Sequence, residues 1–122
     1  MEHCRCIVAG VDYSECGLKA LKEAARLAKW HGARLICLHV FEEEIMNDFL
    51  HHYEMDHSEV LRQARQQLET HVNSVLGETS GAEPKVVIGH PFKEILREVK
   101  EANADMLVLG SRGHRQKDTR RT

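Results

Sequence analysis

Cys6-Ile7-Val8-Ala9-Gly10-Val11, followed at once by Asp12-Tyr13-Ser14, is the stretch that decides the fold. Six small or β-branched residues run without polar alternation, which suits a parallel strand covered on both faces. Ser14 can then cap a helix whose apolar positions Leu18, Leu21, Ala25 and Ala28 step by three, four and three, before Gly32 supplies a left-handed stop. A strand feeding a helix across so short a turn is a βα unit.

The same order recurs along the chain. Leu35 to Phe41 reads as a second strand, and Asp56 with Glu59 three residues later resembles a capping box. The helix it opens carries the buried stripe Leu61, Ala64, Leu68, Val72 and Val75 and closes at Gly77. Residues 42–55, with Glu42, Glu43, Glu44, Asp48, Glu54, His51 and His52, are too many for a bare turn and read as a mobile excursion or a short helix. Val86-Val87-Ile88 is a third strand. Gly89-His90-Pro91 leads from it into a helix with apolar Phe92, Ile95, Leu96, Val99 and Ala102, where Pro91 suits the first turn because its missing N–H costs nothing there. A fourth strand, Met106 to Leu109, ends at Gly110-Ser111-Arg112-Gly113. Strict βαβαβαβ alternation implies a three-layer α/β/α fold, its mostly parallel sheet covered by helices on both faces.

The 122 residues allow one domain, expected over 1–113, with 114–122 as a disordered basic polar tail. A hydrophobic fraction of 42% and a charged fraction of 30% are ordinary globular usage. No apolar run approaches the ~18 residues of a spanning helix, and Met1 to Cys6 do not read as a leader, so a soluble cytoplasmic protein is expected. Net charge is −2, yet Arg112, Arg115, Lys117, Arg120 and Arg121 fall in the last eleven residues beside one acid, Asp118. The rest holds 12 bases against 18 acids, an acidic body unsuited to a nucleic-acid backbone. Cys4, Cys6, Cys16 and Cys37 lack paired zinc spacing and read as small apolar residues of a reducing compartment.

In an open parallel sheet, ligands bind beyond the carboxyl ends of the strands, where successive connections leave in opposite directions. Asp12 and Ser14 follow the first strand, Val40 and Phe41 end the second, and Gly89 and His90 follow the third. After the fourth, Gly110 and Gly113 allow close backbone approach and N–H groups facing an anion, with Ser111 and Arg112 as added donors. A tight turn explains the same pattern. Asp12 can accept from a ribose or a base edge, or simply bond its own turn. His39 reads as a satisfied near-core residue, and His90 as an exposed or capping one. His51, His52 and His57 with Glu54 and Asp56 match no standard metal site, so no metal is expected there. No nucleophile, base and orienting group come together, which leaves no catalytic residue to name.

Ile7 to Glu15 with Leu18-Lys19-Ala20-Leu21, then Gly89-His90-Pro91, then Asp105 to Gly113, resembles the universal stress protein family in order and interval from Cys4 to Gly113. The resemblance implies a five-stranded parallel sheet, a homodimer and, in one large subgroup, ATP at the switch point, with Mg2+ as an optional companion. It assigns the nucleotide site to Asp12, to Val40 through its backbone, to Leu109 and Gly110, and to Arg112 and Gly113. The subgroup carries glycine, two residues, glycine, nine residues, then glycine with serine or threonine. Gly110 and Gly113 supply the first half, and nine more residues reach Thr122, so the second half, a final helix and the fifth strand are expected to be missing. Two lost bonds of ~1.5–3 kcal/mol each would weaken binding by about two to four orders of magnitude.

The function expected is a regulatory protein of the stress response that binds adenine nucleotide, with at most slow ATP hydrolysis. Two rivals stand beside it: a dimeric interaction module of the same fold that has lost nucleotide, and an adenylyl-transfer enzyme of the wider adenine-nucleotide group.

Overall fold

The structure, a computed structural model, describes residues 3–110. Four strands, β1 (Cys6–Gly10), β2 (Arg34–Glu42), β3 (Glu83–Gly89) and β4 (Met106–Val108), are joined by helices: α1 (Glu15–His31) between β1 and β2, α2 (Glu43–His52) and α3 (His57–Leu76) in succession between β2 and β3, and α4 (Pro91–Glu101) between β3 and β4. All strand pairs are parallel, in the order β3-β2-β1-β4. The chain therefore moves outward from β1 through β2 to β3, then returns to add β4 on the far side of β1. That reversal puts α1 and α3 on one face of the sheet and α4 on the other, giving the expected three-layer α/β arrangement.

Local chemistry sets the element ends as read. Ser14 Oγ accepts from the Gly17 N–H at 2.9 Å and caps α1, which stops at Gly32 with φ of 65°. Asp56 Oδ1 accepts from the Glu59 N–H at 3.0 Å and caps α3. Only half of the expected capping box forms, because the Glu59 carboxylate is taken by Arg62 and Gln63. Residues 43–52 adopt the short-helix alternative: Met46 is buried, and Phe41, Phe49 and Tyr53 form a chain of ring contacts at 5.9 and 5.3 Å. β3 begins three residues before Val86, and Pro84 is tolerated in it because β3 is an edge strand. Asp105, just ahead of β4, accepts from the backbone N–H groups of Arg5 and Cys6 at 2.8 and 3.1 Å. These bonds hold its carboxyl below the usual range and tie the start of β4 to that of β1.

The two faces are packed unequally. On one, Ile7, Ala9, Leu35 and Cys37 meet Leu21, Ala24 and Ala28 of α1 and Leu68 and Val72 of α3. On the other, Cys6, Val8, Ile36 and Leu38 meet Ile95 and Val99 of α4. Two stripes read from sequence shift in register. In α3 the buried row is Val60, Ala64, Leu68 and Val72, so Val60 replaces Leu61 at its head because i+4 steps from Leu68 lead to it. In α4 Phe92 and Leu96 leave the expected stripe: they are 70% and 64% exposed, since Ile95 and Val99 already occupy the sheet-facing side.

Cys4, Cys6 and Cys37 are buried and Cys16, in the first turn of α1, is exposed; all four thiols are free. Burial pushes the Cys37 thiol up to about 12 and raises that of Cys6, so both stay protonated at neutral pH. Iodoacetamide at pH 8 is expected to label one thiol, Cys16, within minutes, and the other three only after denaturant is added. Mass spectrometry of labelled peptides checks this, and fast labelling of Cys37 would contradict the packing.

Candidate functional site

Because the connections reverse beside β1, the carboxyl ends of β1, β2 and β4 are left open between the two helical layers. A cleft of about 330 Å³ lies there, and Asp12, Val40, Leu109 and Gly110 all line it. Four of the six residues named from sequence thus share one concavity. Arg112 and Gly113, the other two, lie outside the described residues, as does the tail from 114.

β1 ends at Gly10, opposite Leu38, whereas β2 continues to Glu42 with only β3 beside it. The Leu38 carbonyl faces β1 and accepts from the Val11 N–H at 2.8 Å. Strand periodicity of two turns the N–H and C=O of Val40 toward that same edge, where β1 has already stopped. Among the described residues no strand pairs with β2 there. Val40 so presents a backbone donor and acceptor side by side to the cleft, while its side chain packs with the α4 face.

Asp12 is held by its own turn. Its Oδ1 accepts from the Ser14 N–H at 3.0 Å and the Ser14 hydroxyl at 2.6 Å, and Ser14 in turn caps α1. These bonds are the turn role weighed for Asp12 in the sequence, and they hold its carboxylate at the rim of the cleft that it lines. Gly17 was not singled out, yet a Cβ on it would overlap Asp12 Oδ1. Gly110 fits as closely: a Cβ there would stand 2.5 Å from the Cys16 carbonyl oxygen and 2.6 Å from the Gly17 nitrogen. The two glycines let the end of β4 and the first turn of α1 lie against each other.

Tyr13 was also missed. It adopts φ of 64°, uncommon for an aromatic residue, and its ring lies between His39 and His71, with centroids 5.0 and 4.9 Å away. Nothing in the sequence marks that conformation, because a bulky aromatic is among the residues least given to a positive φ. His39 Nδ1 lies 2.7 Å from the Val11 carbonyl, which as a pure acceptor requires the ring to donate, so His39 is the satisfied residue expected. His90 is exposed at the N-cap position of α4 and makes no capping bond.

The cleft's chemistry is divided. Val40, Leu38, Ile95, Phe92 and Leu109 supply apolar wall, Asp12 and Glu42 supply carboxylates, and no Lys or Arg lines it among the described residues. Such a lining suits an uncharged planar group and a hydroxyl-bearing one.

Comparison with known proteins agrees with this architecture. The model of the universal stress protein family matches residues 4–120. Universal stress protein YxiE of Bacillus subtilis (strain 168) is 29% identical over 116 residues, 88% of this chain and 78% of that one. The solved structure of universal stress protein UspA from Lactobacillus plantarum superposes with a TM-score of 0.67 at 22% identity, over 94% of this chain and 85% of that one. A universal stress protein solved in complex with cAMP gives 0.67 at 21% identity, over 88% and 76%. At such identities these two likenesses carry the fold.

Proposed function

We propose that this chain, which belongs to the universal stress protein family, binds an adenine nucleotide in the cleft at the ends of β1, β2 and β4 and acts as a nucleotide-binding regulatory protein in the stress response. The observation that carries the reading is the Val40 backbone edge facing the cleft beside the Asp12 carboxylate. An adenine offers one acceptor, N1, next to one donor, the N6 amine, and so matches a backbone N–H and C=O. A ribose hydroxyl within reach of Asp12 would donate to its carboxylate. That a relative of this fold is solved with cAMP supports the same class of ligand.

The nucleotide proposed is ATP. Asp12 and Glu42 would repel a triphosphate, so its charge falls to the Gly110 to Gly113 loop, to Arg112, and to Mg2+ carried in with the phosphates. Mg2+ would neutralise part of that charge. Residues 1–113 form the nucleotide-binding domain in this reading, and family membership supports a cytoplasmic homodimer. Asp12 positions the ribose, Val40 the base, and no side chain is assigned a step in hydrolysis.

Isothermal titration of the chain with ATP and Mg2+ is expected to show saturable binding, weakened at least about tenfold by Asp12→Ala, which loses a charged acceptor. Absence of saturable binding to the unaltered chain, with a normal dimer in sedimentation, would remove the proposal in favour of the nucleotide-free interaction module.

A further inference from the structure

We propose that the ring of Phe92 is the stacking surface for the nucleotide's base, closing the purine slot from the α4 side; this rests on the nucleotide reading above and adds a residue to it. The starting point is a departure from amphipathicity. α4 buries Ile95 and Val99 against the sheet and leaves Phe92 70% exposed, while Leu109, just past β4, is 46% exposed. Scattered apolar residues on a surface need no explanation. These two line the same cleft as Val40 of β2. Exposed apolar surface gathered at one concavity marks a binding site.

The geometry selects a flat ligand. A base held by its edge on the Val40 backbone presents its two faces sideways, and the wall on the α4 side, with Phe92 and Ile95, is apolar. Phe92 occupies the first turn of α4, where Pro91 at the start of the helix fixes the backbone. Its ring also meets that of His90 at a centroid distance of 6.1 Å. The platform is held at one end of a regular element. Stacking of a base on an aromatic side chain changes affinity by about tenfold or more on alanine substitution. Leu96, one turn further along α4 and 64% exposed, does not line the cleft and serves as the control for an ordinary sticky patch.

Four chains separate the outcomes: the unaltered protein, Phe92→Ala, Phe92→Trp and Leu96→Ala, each titrated with ATP and with adenosine. Phe92→Ala is expected to weaken both ligands by the same factor, about tenfold or more, because the base is common to them. Leu96→Ala should leave both unchanged. Phe92→Trp should restore affinity and give an indole emission quenched by either ligand, against a blank of the unaltered chain, whose one tryptophan, Trp30, sits at the opposite end of α1. Equal ATP affinity in the unaltered chain and Phe92→Ala would overturn the stacking assignment and leave the nucleotide reading standing. So would equal losses in Phe92→Ala and Leu96→Ala, the mark of a protein-docking patch. No binding of ATP or adenosine to the unaltered chain would overturn both.

Discussion

Gly110→Ala is expected to lower stability by about 2–3 kcal/mol and the unfolding midpoint by about 10 °C, with nucleotide binding lost beyond detection. A methyl on Gly110 would meet backbone on its open side: the Cys16 carbonyl oxygen at 2.5 Å, the Cys16 carbonyl carbon at 2.6 Å and the Gly17 nitrogen at 2.6 Å. Real Cβ atoms do not come so close, and backbone in the first turn of a capped helix cannot swing aside as a side chain would. The end of β4 must lift off α1. Because Gly110 leads into the loop assigned to the phosphates, and Gly17 supports Asp12, that displacement disturbs both halves of the site. Gly10→Ala is the matched control for stability alone, since Gly10 and Leu109 both line the cleft: its methyl would meet Leu109 Cδ2 at 2.5 Å, the tip of a flexible, half-exposed side chain that can rotate away. Thermal unfolding and calorimetry of the two variants side by side check the prediction. Equal small effects would show that β4 does not press on α1.

How much of this was legible in sequence follows from which interactions are local. Element order, the Ser14 and Asp56 caps and the Gly32 stop were readable because each is written within four residues of chain. The parallel sheet followed from alternation, and the position of the cleft from the rule that ligands gather where connections reverse. Asp12, Val40 and Gly110 sit at or just past readable strand ends, and the resemblance to the universal stress protein family picked them, with Leu109, from the other residues at those ends.

What escaped was contact between distant segments. Gly17 looked like one helical residue among many, and its need to be glycine exists only because Asp12 folds back over it. Asp105 binds Arg5 and Cys6 across a hundred positions, which no local pattern records. Phe92 fitted the apolar stripe of α4 by spacing, since periodicity reports which residues share a helix side and not where that side's edge meets the sheet. The chemical division of the cleft, with apolar and acidic groups in its described part, also had to await the structure.

Leu21→Ala is expected to cost about 3–4 kcal/mol, and the unfolding midpoint about 12 °C or more, while leaving ATP affinity of the remaining folded protein within a factor of two. Leu21 is fully buried where α1 crosses the sheet, in the cluster that also holds Leu68 and Val72 of α3. Truncation removes three carbons from a space closed on all sides by two helices and the central strands, so relaxation recovers little. The other face behaves differently. Its buried members are Cys6, Val8, Ile36 and Leu38, and Val87 and Ile95 beside them are only partly buried. Val87→Ala should therefore cost about 1 kcal/mol. Stability is concentrated on the α1/α3 side, whereas the site opens between the strand ends and α4. With total stability of a domain this size on the order of 5–15 kcal/mol, the first side can lose a leucine and still fold. The second can exchange Phe92 or Leu96 with little effect on folding, so binding changes in those variants report on the ligand. Urea unfolding of Leu21→Ala and Val87→Ala measures the contrast directly. Equal losses would show that the α4 face carries as much of the core as its opposite.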